Sequence, residues 1–66
     1  MRVTINGFFE EVPEGTTIAE VIDRNQEFEV HMIVELNHRF IHQKDFATTV
    51  LNEGENLELI HAAFGG

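Results

Sequence analysis

The dipeptide Asn6-Gly7 constrains the fold of this chain more than any other feature of its sequence. It stands between two short runs in which apolar and polar residues alternate, the pattern of half-buried strands. Asn and Gly both tolerate the positive φ angles of a type I′ turn, so this pair is a strong signal of a β-hairpin. The sequence therefore predicts an N-terminal hairpin in which Ile5 lies opposite Phe8, while Phe9 points to the other face.

A short helix is predicted after the hairpin, over residues 17–26. Thr17 and Glu20 have the spacing of a capping box, in which each side chain accepts a hydrogen bond from the backbone of the other residue. Apolar residues then recur with the i, i+3, i+4 spacing of one helical face. This apolar stripe consists of Ile18, Val21 and Ile22.

Three more strands are predicted from alternating patterns further along the chain. They span residues 30–37, 40–41 and 57–61. Asn37-His38 is predicted to form a turn, since both residue types are enriched at positive φ, and Phe46 is predicted to fill the core after a single helical turn. The order β-β-α-β-β-β is typical of the α+β class, with a small mixed sheet of four to five strands packed on one main helix.

The length and composition limit the possible classes of protein. A chain of 66 residues forms one small domain, and at this size only about 60% of the chain's surface is buried on folding. It has no cysteine, which excludes disulfides, thiolate metal sites and a cysteine nucleophile. No apolar run reaches the roughly 20 residues of a membrane span, and no signal peptide is recognisable. We therefore expect a cytoplasmic protein with no membrane association.

The charge balance indicates the kind of partner. Twelve acidic residues against 4 Lys and Arg give a net charge of −8. Such a surface repels phosphate backbones, so we expect no nucleic-acid partner. It favours association with a basic protein surface. The simpler alternative is that the acidic residues only keep a small protein soluble.

No pattern typical of a catalytic, cofactor or metal site is found. His38 and His42 have the i, i+4 spacing of a helical zinc pair, but they fall in a predicted turn and strand, which favours ordinary surface histidines. Glu10 and Glu11 point to opposite faces of a strand and cannot form a catalytic pair. We predict no metal site, no bound cofactor and no catalytic residue, and hence a protein that is not an enzyme.

The carboxyl-terminal residues form the candidate functional segment. The last predicted strand leads into an uncharged sequence that ends on Gly65-Gly66. Glycine has no Cβ and can enter a narrow slot in another protein. We predict a domain over residues 1–61 and a flexible tail over residues 62–66, with the Gly66 carboxylate as the reactive group. An ordinary disordered end is the alternative.

The order and spacing of several segments, together with the total length, resemble one protein family over essentially the whole chain. The segments are Asn6-Gly7, residues 14–22, 34–37, 46–49 and 52–55, and Gly65-Gly66. They are similar to the ThiS family, the sulfur carriers of thiamin biosynthesis, which are related to MoaD and share the ubiquitin-like β-grasp fold. The chain departs from the family pattern at four positions. His38 replaces a usual Gly, His42 a common Pro, Phe46 a frequent Trp, and Phe64 a smaller residue.

The resemblance implies a mechanism and a set of partners. An E1-like adenylyltransferase of the ThiF type would use MgATP to adenylate Gly66, and a persulfide donor would convert it to a thiocarboxylate. A thiazole synthase of the ThiG type would then receive the sulfur. Gly65, Phe64 and Ala63 would form the tail that enters the partner's active site.

Several alternatives to this role stay open. A related carrier could serve molybdopterin or sulfur amino acid synthesis. A β-grasp interaction module would lack any carboxyl-terminal chemistry. A ubiquitin-like modifier would form isopeptide bonds with lysines on other proteins.

A docking surface is also predicted. The strand patterns place Phe9, Ile33 and Ile60 on the sheet face opposite the helix, near the start of the tail. An apolar patch ringed by acidic residues is what a transient partner site requires. The alternative for these residues is that scattered exposed apolar side chains are normal on protein surfaces.

Overall fold

The predicted hairpin forms one edge of a five-stranded mixed sheet in the computed structural model, which describes residues 1–25 and 31–61. The strands, in chain order, are β1 (Arg2–Ile5), β2 (Phe8–Glu11), β3 (Ile33–Leu36), β4 (Arg39–Ile41) and β5 (Asn56–Ile60). Their spatial order is β2-β1-β5-β3-β4, with β1 parallel to β5 and the other pairs antiparallel. The predicted α+β fold is confirmed, with five strands.

The Asn6-Gly7 turn has the predicted geometry. Both residues have positive φ, 51° and 86°, and Ile5 lies opposite Phe8. A Cβ on Gly7 would meet no atom within 4 Å, so glycine is favoured there by its backbone conformation and not by lack of space. Phe8 is nevertheless 74% exposed, because β2 is an edge strand.

The capping box and the apolar stripe are both confirmed in α1 (Ile18–Asn25). The Glu20 carboxylate accepts a hydrogen bond from the Thr17 backbone N–H at 2.8 Å, and the Thr17 hydroxyl accepts one from the Glu20 N–H at 3.2 Å. These contacts satisfy two amide groups that a helix start would otherwise leave unpaired. The predicted last residue of the helix, at position 26, lies outside the described residues.

The core lies between α1 and one face of the sheet, which we call the inner face. Buried apolar residues from the helix, from the strands and from the 3₁₀ segment Gln43–Asp45 with its following residue form one cluster. Its members are Val3, Ile5, Val12, Ile18, Val21, Ile22, Val34, Phe46, Leu51, Leu57 and Leu59. Phe46 follows the 3₁₀ turn and is 8% exposed, as the sequence predicts.

The strands are shorter than predicted at several ends. β3 begins at Ile33 and not at residue 30, which lies outside the described part of the chain; His31 and Met32 are not in a strand. The reason is that β5, its antiparallel neighbour, ends at Ile60, directly opposite Ile33. His61, the residue that follows β5 and would lie opposite Met32 in this register, is not in a strand either. Neither described helix is long and apolar enough to cross a bilayer.

Candidate docking face and carboxyl-terminal tail

The residues predicted to carry the chemistry, Gly66, Gly65, Phe64 and Ala63, lie outside the described residues. The described chain reaches His61, one residue beyond the end of β5. The candidate site is therefore built from the surface that surrounds the end of this central strand.

The side of the sheet that faces away from α1 carries the candidate docking surface, which we call the outer face. Its residues alternate with buried residues of the inner face along β1, β3 and β5. The strand register places residues of the edge strands β2 and β4 beside them. They are Arg2, Thr4, Phe9, Glu11, Ile33, Glu35, Phe40, Asn56, Glu58 and Ile60.

An apolar pair lies at the end of the outer face where the tail begins. Ile33 and Ile60 are direct cross-strand partners, and they are 41% and 38% exposed. Ile60 immediately precedes His61, so this Ile33–Ile60 pair lies within one or two residues of the tail. Adjacent β-branched side chains on paired strands present a continuous apolar surface.

Phe9 is on the outer face but does not join the Ile33–Ile60 pair. It lies opposite Thr4, and Thr4 lies opposite Asn56 on β5. Asn56 is four residues before Ile60, or about 13 Å along the strand. The guanidinium carbon of Arg2 lies 5.2 Å from the centre of the Phe9 ring and covers part of it. The prediction that Phe9 lies near the start of the tail is therefore wrong, because strand alternation gives the face of a residue but not its level along the sheet.

Phe40 belongs to this surface and was not selected from the sequence. It is 57% exposed and lies opposite Glu35, two residues along β3 from Ile33. The His42 ring meets the Phe40 ring edge to face, with centroids 4.8 Å apart and planes at 86°. The signal was available, because a two-residue turn at Asn37-His38 fixes Glu35 opposite Phe40.

Negative charge crosses the middle of the outer face. Glu35 and Glu58 are direct cross-strand partners. On the two strands they lie next to Val34 and Leu59, which point to the opposite face and into the core. The His38 Nδ1 atom lies 3.8 Å from a carboxylate oxygen of Glu58. The Ile33–Ile60 pair thus has acidic groups on one side, an arrangement that favours a partner with an apolar patch next to basic side chains.

Two asparagines fix β5 in place beneath this surface. The Asn6 side-chain oxygen accepts a hydrogen bond from the backbone N–H of Leu59 at 2.8 Å. The Asn37 side-chain oxygen accepts one from the N–H of Asn56 at 2.9 Å. Both turns therefore hold the strand that leads to the tail, and each asparagine has positive φ.

A concave site of about 350 Å³ lies on the opposite side of the molecule, between α1 and the 3₁₀ segment. Apolar side chains, including Ile22 and Phe46, line it together with Asp23 and Lys44. This cavity lies on the helix side of the sheet, and neither Ile33 nor Ile60 lines it. We therefore place the candidate site on the outer face and not in the cavity.

Comparison with known proteins gives a consistent family assignment. The sequence model of the ThiS family matches residues 3–66. A crystal structure of the thiamine biosynthesis protein ThiS from Geobacter metallireducens is similar, with a TM-score of 0.85, 25% sequence identity and complete coverage of both chains. A solution NMR structure of a thiamine biosynthesis protein from the same organism has a TM-score of 0.76 and 24% identity, and covers 100% of this chain and 88% of the other. No curated protein matches the sequence significantly.

Proposed function

Because the chain belongs to the ThiS family, we propose that it is a sulfur carrier whose Gly66 carboxylate is converted to a thiocarboxylate and supplies sulfur for thiazole formation in thiamin biosynthesis. The observation that carries this proposal is the family match itself, which runs through Gly65-Gly66 to residue 66. The similar Geobacter metallireducens protein is described as a thiamine biosynthesis protein, which favours this pathway over the molybdopterin and sulfur amino acid alternatives.

The proposed chemistry needs an activated carboxyl group, because a carboxylate resists attack by a nucleophile. A carboxylate oxygen of Gly66 attacks the α-phosphorus of ATP, which releases pyrophosphate and leaves an acyl adenylate. Sulfide sulfur, or the terminal sulfur of a persulfide, then attacks the carbonyl carbon and displaces AMP. With a persulfide, a thiol must afterwards reduce the sulfur–sulfur bond to release the thiocarboxylate.

The partner enzymes supply everything else in this scheme. The sequence has no Gly-rich phosphate loop to hold ATP, so MgATP would be bound by an E1-like enzyme of the ThiF type. A thiazole synthase of the ThiG type would accept the sulfur. The chain acts as a cosubstrate that is consumed and regenerated, and we propose no catalytic residue in it.

Docking would use the Ile33–Ile60 pair. It is exposed, apolar and adjacent to the residue from which the tail continues, so a partner that binds it receives the tail at its active site. The neighbouring Glu35 and Glu58 carboxylates would meet basic residues of the partner, which increases the association rate and limits the choice of partner.

Thiol-specific labelling tests the proposal directly. The chain is incubated with an E1-like enzyme of the ThiF type, MgATP and sulfide, and then treated with a thiol-alkylating reagent before intact-mass analysis. Exchange of oxygen for sulfur alone resembles oxidation of Met1 or Met32 in mass. Alkylation separates the two, because a chain with no cysteine has no other thiol to label. We expect an ATP-dependent label that maps to Gly66.

A variant that lacks Gly65-Gly66 is the matched control, and it should remain folded and unlabelled. An enzyme preparation that labels a sulfur carrier of its own species but not this chain would contradict the proposal. The interaction-module alternative would then be favoured, since its binding survives loss of Gly66.

A further inference from the structure

Three side chains with metal-binding atoms meet on the outer face, and the sulfur-carrier proposal does not use them together. Glu35 comes from β3, Glu58 from β5, and His38 from the turn that follows β3. One ligand atom from each residue can be chosen so that all three lie within 4.8 Å of one another. The group thus joins residues that are up to 23 positions apart in the sequence.

The backbone of His38 is unusual, and its ring lies close to a carboxylate of β5. Its φ angle is 68°, in the left-handed region that non-glycine residues seldom adopt. The Asn37-His38 turn nevertheless forms, with Asn37 also at positive φ and held to Asn56 by hydrogen bonds. From this turn, the His38 Nδ1 atom reaches to 3.8 Å from Glu58 Oε1.

The two carboxylates form a like-charge pair beside one histidine. Like charges directly opposite each other on neighbouring strands are destabilising, and Glu35 and Glu58 are direct partners. Among residues 1–25 and 31–61, no Lys or Arg lies within ion-pair distance of either group. The Asn56 side-chain amide donates a long hydrogen bond of 3.4 Å to Glu58, which does not neutralise the charge. A bound dication would remove this repulsion.

We propose that Glu35, His38 and Glu58 bind a divalent transition metal of the zinc type. One imidazole nitrogen with two carboxylate oxygens is a donor set that suits zinc, whereas magnesium and calcium prefer oxygen ligands alone. A tetrahedral zinc site holds such ligands about 2.0–2.2 Å from the ion, and hence about 3.3–3.6 Å from each other. His38 is mostly exposed, so rotation of its side chain can close the remaining gap. A water molecule would take the fourth position.

The sequence predicts no metal site and favours ordinary surface positions for His38 and His42, so the proposed three-residue group departs from that expectation. The i, i+4 spacing of His38 and His42 is typical of a zinc pair on a helix, but these residues flank strand β4. The His42 ring packs edge-on against Phe40 and is not a member of the three-residue group. His42 is therefore a matched control: it is a nearby exposed histidine outside the proposed site.

The test is a zinc titration of the full chain after chelator treatment and removal of the chelator. We expect isothermal titration calorimetry with zinc chloride to give one zinc ion per chain. NMR spectra of the imidazole groups should show the zinc-dependent change at His38 Nδ1 and not at His42. The titration requires neither the tail nor a partner enzyme, so its outcome is separate from that of the labelling test, although Glu35 and Glu58 are also the carboxylates of the proposed docking surface.

His38→Gly is the decisive variant, because glycine adopts the observed φ without strain and the variant should fold at least as well as the natural chain. We expect its zinc affinity to fall by at least about tenfold, since even loss of an outer-shell partner has an effect of that size. Glu58→Gln should weaken binding similarly, whereas His42→Ala should leave it unchanged. The proposal would be overturned if the natural chain bound no zinc, or if His38→Gly bound zinc as tightly as the natural chain. It would also be overturned if His42→Ala lowered the zinc affinity as much as His38→Gly does.

Discussion

The two faces of the same sheet differ in what they contribute to the molecule. On β5, Leu57 and Leu59 point inward and are 0% and 5% exposed, whereas Ile60 points outward and is 38% exposed. On β3, Val34 is fully buried and its neighbour Ile33 is 41% exposed. Residues adjacent in sequence are thus divided between a dry core and an open surface.

This difference shows how a 66-residue domain can combine stability with binding. The inner face supplies the apolar burial that balances the loss of chain entropy. The outer face does not need to be buried for the domain to be stable, so it can carry exposed isoleucines and paired carboxylates. Substitutions on the two faces should therefore affect different measurements.

The largest expected effect on stability comes from Leu57→Ala on the inner face. Removing a fully buried leucine side chain leaves a cavity and should lower the free energy of unfolding by about 3 kcal/mol. Urea denaturation followed by circular dichroism measures this loss. Ile60→Ala, three residues later on the same strand, should lower it by only about 1 kcal/mol. Equal losses would show that the two faces are not energetically distinct.

Ile60→Asp should affect binding much more than folding. A charge in the Ile33–Ile60 pair should weaken binding to the E1-like enzyme by at least about tenfold, or 1.4 kcal/mol, as measured by calorimetry. Val50→Asp is the matched control, since Val50 is 45% exposed and pairs with Thr17 away from the outer face. Unchanged binding of Ile60→Asp would remove this pair from the docking surface, and an equal loss in both variants would point to net charge alone.

Asn6→Gly tests a contribution that belongs to neither face. Glycine preserves the positive φ of the turn but removes the acceptor for the Leu59 N–H, which should cost about 1 kcal/mol of unfolding free energy. Thermal or urea unfolding measures the change. Asn6→Asp retains an acceptor oxygen and should lose less. If the two variants are equally stable, the hydrogen bond from the Leu59 N–H to the Asn6 side chain does not stabilise the sheet.

The smallest effect on binding is expected from Phe9→Ser. This variant tests whether the docking surface extends from the Ile33–Ile60 pair to the N-terminal hairpin. Because Phe9 lies away from the Ile33–Ile60 pair, we expect less than about a twofold change in affinity for the E1-like enzyme, or 0.4 kcal/mol. Calorimetry under the conditions used for Ile60→Asp gives a direct comparison. A loss as large as that of Ile60→Asp would extend the surface across β1 to the hairpin.

The elements that the sequence predicted correctly depend on short-range physical chemistry. The Asn6-Gly7 turn follows from backbone preferences at two neighbouring residues, and the capping box follows from two side chains three positions apart. The buried stripe of α1 and the alternating faces of the strands follow from helix and strand periodicity. The segments that resemble the ThiS family likewise lie in order along the chain.

The candidate site was predicted less completely, because it depends on how the strands are placed beside one another. Alternation assigned Ile33 and Ile60 to one face, but only the antiparallel register makes them direct partners. The same register separates Phe9 from that pair and brings Phe40 onto the surface beside Glu35. Whether these residues dock a partner is a prediction that the binding measurements above will test.

The sequence by itself determined the turns, the helix, the faces of the strands and the family. Only the tertiary structure placed β1 beside β5 and brought Glu35, His38 and Glu58 together. It also formed the hydrogen bond between the Asn6 side chain and the Leu59 N–H, which are 53 positions apart in the sequence. The reason is that turn and helix preferences act over a few residues, whereas strand order and register are decided by the collective packing of distant apolar residues into one core.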